Sequence, residues 1–142
     1  MLMSIDPGKT VGIAYWKMDG TIVYQGEMDI DDFIARCSRL DKFSDLKVIV
    51  YEDYTLRPNK AFAQRGSKLQ ASQVIGALKL LAKQTGAKLV RQQPDKLRIT
   101  AMHAGIELPK GHIKDSMSAY LHGYHYFVRN EILKPKLQST LR

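Results

Sequence analysis

The 142-residue sequence has a single cysteine, Cys37, so no intrachain disulfide is possible. That residue reads as a small buried hydrophobe kept reduced. No apolar run approaches the ~20 residues a bilayer-spanning helix needs, which excludes a membrane-spanning reading. No basic region leads into a long apolar stretch at the N-terminus, so the expected compartment is the cytoplasm. Internal repeats and low-complexity linkers are missing too, and the length suits one domain over 1–142. Acid is scarce through the middle: residues 57–98 carry ten lysines and arginines against one acid, Asp95. The first 53 residues lean the other way, with ten acids and six bases. A net charge of +8 distributed in this way suggests a polyanion partner, with a separate acidic pocket.

Strand patterns occupy 2–6, 10–16, 21–28, 47–52 and 87–91. Met18-Asp19-Gly20 supplies a hairpin turn between the second and third. Helical spacing predicts a helix over 31–43, with Phe33, Ile34, Cys37 and Leu40 on one side. A second spans 67–84, striped by Ala71, Val74, Ala77, Leu78 and Leu81 and interrupted by Gly76, a costly residue unless another backbone packs close. A short helix opens at Pro94 within 94–104. The last runs 112–130 along Ile113, Met117, Tyr120, Leu121, Tyr124, Phe127 and Val128. The polar tail from Lys134 is expected to fray. Hairpin-linked strands followed by alternating strands and helices predict an α/β fold: a mixed sheet with helices on both faces.

Gly8-Lys9-Thr10 looks like the end of a phosphate-binding loop. That loop needs a glycine five positions earlier and a helix afterwards. Met3 occupies the first position, and the strand-like TVGIAYW follows, so no nucleotide cofactor is expected. The acids are more informative. Asp6 ends the apolar run LMSID, and Glu52 ends VIVYE. An ionised carboxylate there is expensive to bury without a cation or hydrogen-bond partners. Alternation puts Val48, Val50 and Glu52 on one strand face and Asp53 on the other. Each acid alone is equally a surface residue at a strand end; two such strands side by side would converge on a site. His112 and Asp115, three apart in the last helical pattern, would share a helical face. This pair alone fits capping as well as ligation. Together the four residues form an oxygen-rich set that suits Mg²⁺ or Mn²⁺ better than structural Zn²⁺.

SIDPGKTVGIAYW resembles the first motif of RuvC-type Holliday junction resolvases, in the RNase H-like superfamily: Asp-Pro-Gly ends the first strand and a glycine, here Gly12, lies in the second. VIVYEDY resembles the second motif, and GHIKDSMSAYLHGY the last. RGSKLQASQVIGAL is similar to the helix after the second motif, and PDKLRITAMHAG to the family's Pro-x-x-Val-Lys-x-x-x-Thr-Gly segment. The loop DYTLRPNKAF looks closer to phage-encoded members.

The resemblance implies an RNase H-like five-stranded mixed sheet, in a bacterial cell or phage-infected host. It implies a structure-selective endonuclease that resolves four-way and other branched DNA as a homodimer, with 5′-phosphate products. Asp6, Glu52, His112 and Asp115 would be catalytic and hold two Mg²⁺ or Mn²⁺ ions. His112 would act neutral, so activity would rise through its titration. Tyr54, Lys60, Arg65, Lys68, Lys110 and Lys114 are the expected DNA contacts, Tyr54 being equally suited to core packing. His103, His122 and His125 read as surface or helix-packing residues, and Trp16 as core. His122 lies about 10 Å along the helix from Asp115 at 1.5 Å per residue, too far for a shared metal. Alternatives from other classes are an RNA-processing YqgF-type nuclease, a sugar-kinase-like ATP binder (for which the chain is short) and a non-catalytic DNA-binding relative.

Overall fold

Five short strands alternate apolar residues toward two sides, and that alternation decides which helices each side can hold. The computed structural model describes residues 1–53 and 61–136, with side chains described for 1–53 and 69–136. The strands are β1 (Leu2–Asp6), β2 (Thr10–Trp16), β3 (Ile22–Asp29), β4 (Val48–Glu52) and β5 (Lys88–Gln92), in sheet order β3-β2-β1-β4-β5. β1 pairs antiparallel with β2 and parallel with β4, β2 pairs antiparallel with β3, and β4 runs parallel to β5. The helices are α1 (Ile30–Cys37), α2 (Ala61–Thr85), α3 (Leu97–His103) and α4 (Asp115–Arg129), with 3₁₀ turns at Leu40–Phe43 and Pro94–Lys96.

Met3, Ile5, Ile13, Ile49 and Tyr51 point to one face, where Phe33 of α1 and Val74, Leu78 and Leu81 of α2 cover them. Leu2, Ala14, Trp16, Val48 and Val50 point to the other, under Ala119, Tyr124 and Phe127 of α4. Burying residues of this size contributes roughly 1.5–3 kcal/mol each, so both faces are firmly covered. α4 lies close to the sheet because residue 123 is glycine: a Cβ there would run into the Trp16 indole nitrogen and Ser4 Oγ. Trp16 Nε1 donates to Ser4 Oγ at 3.0 Å directly beneath it.

The helix boundaries differ from the sequence pattern in three places. The helix expected over 31–43 stops at Cys37, where Ser38 Oγ donates back to the Ala35 carbonyl at 2.6 Å and competes with helix continuation. Its expected apolar side is also incomplete, since Ile34 and Leu40 are exposed. α2 starts six residues earlier than 67, at Ala61, because no proline or helix stop precedes the RGS segment within it. α4 begins at Asp115 rather than 112, with Lys114 extended before it. Among the described residues nothing stands within 4 Å of where a Cβ at Gly76 would be, so none of their backbone packs there. The tail is held as far as Lys136, whose N–H donates to the His103 carbonyl at 2.6 Å; residues 137–142 lie outside the described residues. Among the described residues no helix is long and apolar enough to cross a membrane.

Candidate active site

Asp6 and Glu52 terminate adjacent parallel strands. Ile5 stands opposite Tyr51, so the next step of the register puts the two acids side by side, both on the α4 face. On its other side Asp6 faces Gly12, which in turn faces Glu27 of β3. A side chain at position 12 would overlap the Asp115 carbonyl. The missing Cβ therefore lets the first turn of α4 rest on β2 and delivers Asp115 beside Asp6. β3 grips the same turn: the Ser116 N–H donates to Glu27 Oε2 at 3.2 Å, and Gln25 Nε2 donates to the Ser116 carbonyl at 3.2 Å. Glu27 thus satisfies one of the free N–H groups at the helix start. The positive end of the α4 dipole faces the acids.

The crowding is visible in the protonation of Asp6. Burial, then the Glu52 and Asp115 carboxylates, push its carboxyl up to about 9. The nearby Ser118 hydroxyl pulls the other way. Its Oγ is buried, and among the described residues no hydrogen bond of ordinary geometry reaches it. Asp115 is also raised, first by burial and then by Glu27, with His112 opposing. Among the described residues no lysine or arginine forms an ion pair with Asp6, Glu52 or Asp115. This is excess negative charge with an orphaned hydroxyl beside it, and its hard oxygen donors fit Mg²⁺ or Mn²⁺. Among the described residues no three Asp, Glu, His or Cys side chains already converge on one ligand position.

Two expectations about histidine change. His112 precedes α4 and is exposed, so the helical pairing with Asp115 is not formed; the link between them is electrostatic. His122 is not a surface residue and does more than pack. It is buried, its Nε2 lies 3.0 Å from Glu52 Oε1, and its Nδ1 lies 2.8 Å from Gln92 Oε1. Both oxygens only accept, so Nε2 donates to Glu52, and Nδ1 is satisfied either by a second proton or by the Gln92 amide turned to offer its NH₂. The signal for this contact was present: residue 122 is seven after 115, two turns on, and shares its face. The 10 Å measured along the helix separates His122 from Asp115, not from Glu52, which approaches from β4.

The remaining candidates fall in several places. Lys110 and Lys114 are exposed on the loop entering α4. Tyr54 and Lys60 lie outside the described residues; Arg65 and Lys68 are on α2, but their side chains are outside them. Asp53 faces away from the acids, pairing with Arg91 at 3.7 Å and accepting from Gln93 Nε2 at 3.2 Å. Trp16 is core, 1% exposed.

No family model and no curated protein matches the sequence. Solved structures do. Thermus thermophilus RuvC in complex with a Holliday junction substrate superposes with a TM-score of 0.64 at 12% identity, covering 94% of this chain and 98% of that one. The chain has the RNase H-like fold of RuvC. A second T. thermophilus RuvC structure gives a TM-score of 0.57 at 14% identity over the same shares. The expected mixed five-stranded sheet with helices on both faces is therefore present, in the RuvC arrangement.

Proposed function

We propose that this protein is a divalent-metal-dependent endodeoxyribonuclease that resolves four-way and other branched DNA junctions by paired phosphodiester hydrolysis. The observation that carries the reading is Asp6, held between Glu52 and Asp115 where two parallel strands end beneath the start of α4. The RuvC fold, one member of which was solved with a Holliday junction, supports the substrate class.

Asp6, Glu52 and Asp115 would hold the metal, with His112 beside them as a ligand or as a guide for the attacking water. What two such ions supply when bound is a more acidic water and compensation for charge building on the departing 3′ oxygen. The chain's own parts prepare that place. His122 fixes Glu52 by one oxygen, leaving the other to serve the site. Gly12 sets the height of Asp115, and the α4 dipole lowers the cost of gathering acids. Lys110 and Lys114 would take phosphates at the entrance to α4, with Tyr54, Lys60, Arg65 and Lys68 continuing the contact after Glu52.

Two symmetric cuts call for a two-fold enzyme. The stripe of Ala71, Val74, Leu78 and Leu81 is buried within the chain and is not available as an interface. Leu69 and Leu80 are 62% and 58% exposed, and they share a face with open Gly76. We place the homodimer contact there. Leu80→Glu should shift the sedimenting species to monomer at micromolar concentration; an unchanged mass would put the interface elsewhere.

The deciding experiment offers a synthetic four-way junction, matched duplex, a flap and structured RNA, with Mg²⁺ or Mn²⁺. Symmetric nicking of the junction, leaving 5′ phosphates, is the expected result. Preferential cleavage of RNA would replace this reading with a YqgF-type activity.

A further inference from the structure

One cavity lies away from the acids. It is an open groove of about 740 Å³ between the β5 edge of the sheet and the C-terminal half of α4. We propose that this groove is a second binding surface, for the phosphate backbone of a nucleic-acid arm leaving the candidate active site; the inference rests on the nuclease reading.

The charge is one-sided. Lys88 of β5, Lys96 of the 3₁₀ turn and Arg129 of α4 line the groove against a single acid, Asp95; Arg91 also borders it, but alternation turns its side chain to the other sheet face, beside Asp53. Among the described residues the three cations Lys88, Lys96 and Arg129 make no ion pair. His125 adds little charge at neutral pH, because burial and then the Arg129 cation hold its imidazole below the usual value. The positive field therefore comes from permanently charged groups.

The cations are also spread out. Lys88 and Gln92, the two ends of β5 on the groove's side, are about 13 Å apart at ~3.3 Å per residue, and Lys96 follows Gln92 in the chain. That span suits several successive phosphates of a polymer better than one phosphate group, since each strand of a duplex presents a phosphate about every 3.4 Å. Small-molecule sites are usually enclosed and mostly apolar, which this groove is not. Finally, the groove joins the acids through a shared wall: His122 and Gln92 line it, and the same His122 bonds Glu52. A strand lying in the groove leads toward the acid cluster.

The test is Lys96→Glu/Arg129→Glu, neither residue belonging to the acid cluster or its supports. Binding of a fluorescent four-way junction is followed by polarisation in EDTA, so that no cleavage intervenes, across a salt series. Loss of two phosphate contacts should weaken binding at least tenfold near 0.1 M salt and flatten the log–log salt slope by about two. Thermal melting should match the parent. If the double variant melts early, Lys96→Gln and Arg129→Gln singly should each flatten the slope by about one. Parent-like affinity and slope would overturn the groove and leave an acidic protein as its better occupant. The nuclease reading is scored separately on the parent with metal. Groove-dependent binding without cleavage would sink the nuclease and keep the groove; cleavage with groove-independent binding would do the reverse. A parent that binds no nucleic acid at 50 mM salt would sink both.

Discussion

On one face of the sheet Met3, Ile5, Ile49 and Tyr51 meet α1 and α2 with no polar side chain among them except the Tyr51 hydroxyl; on the other, Ser4, Asp6 and Glu52 alternate with Leu2, Val48 and Val50 beneath α4. The fully buried polar side chains among the described residues, Ser4, Thr100, Ser118 and His122, all belong to this second side or to the helices on it. The same strands build both faces, so the difference arises from alternate positions. The first face contributes stability. The second gives some of it up to gather carboxyl groups that crowd one another.

That contrast can be broken most sharply at Asp6. Asp6→Asn should lower junction cleavage by on the order of 10³-fold or more, the several kcal/mol that metal ligation supplies. Its effect on stability should be opposite. A carboxyl at about 9 in the folded chain and 3.8 in the unfolded one stabilises fully below about pH 4. That contribution is lost as pH rises toward 9, at up to ~1.4 kcal/mol per pH unit. An amide has no such loss. Urea denaturation in EDTA from pH 5 to 9 should show the parent falling away from Asp6→Asn as pH rises. Parallel curves would mean that Asp6 is not crowded as described.

Ile49→Ala tests the dry face. It should cost about 2–5 kcal/mol by leaving a cavity under α2. Activity per folded molecule and Mn²⁺ affinity should stay at parent values. A loss of Mn²⁺ affinity in the folded variant would show that the two faces are not independent.

Much of this division was legible in the sequence, because alternation is a local property. The strands, the common face of Val48, Val50 and Glu52, and the apolar stripe of α2 follow from spacing alone. What spacing does not carry is the meeting of distant elements. Glu27 sits on an exposed stretch of β3 and reads as a surface acid until the β2–β3 register brings it to the start of α4. Lys88 and Lys96 belong to the visibly basic middle, but Arg129 joins them only because α4 returns over the sheet and brings its C-terminal half to the far side of the groove. His112 falls outside α4 for a local reason: the helical period continues through 112–114, although the helix starts only at Asp115 and Lys114 before it is extended.

His122 gives a smaller effect that separates positioning from packing. His122→Gln retains a donor for Glu52, whereas His122→Ala removes it and leaves a cavity. Loss of a partner behind a metal-holding group typically costs 10–100-fold in metal affinity. Mn²⁺ titration should therefore show that loss in the alanine variant and partial recovery in glutamine. If both bind Mn²⁺ as the parent does and only melting temperature falls, His122 is a core residue and nothing more.

The smallest effect is the most direct measure of how the second face works. A carboxyl that holds its proton up to about 9 must give it up before it can ligate a cation. Mg²⁺ or Mn²⁺ binding at pH 7 should then release about one proton to the buffer, and affinity should rise by up to about tenfold per pH unit below 9. Titration calorimetry in two buffers of different ionisation enthalpy reads that proton as a difference in apparent heat. Asp115, raised in the same direction, would add a fraction at lower pH. In Asp6→Asn the pH-linked proton should vanish together with most of the affinity. Binding with equal heats in both buffers would leave Asp6 ionised before the metal arrives, and the polar face would then hold its charge by hydrogen bonding rather than by keeping a proton.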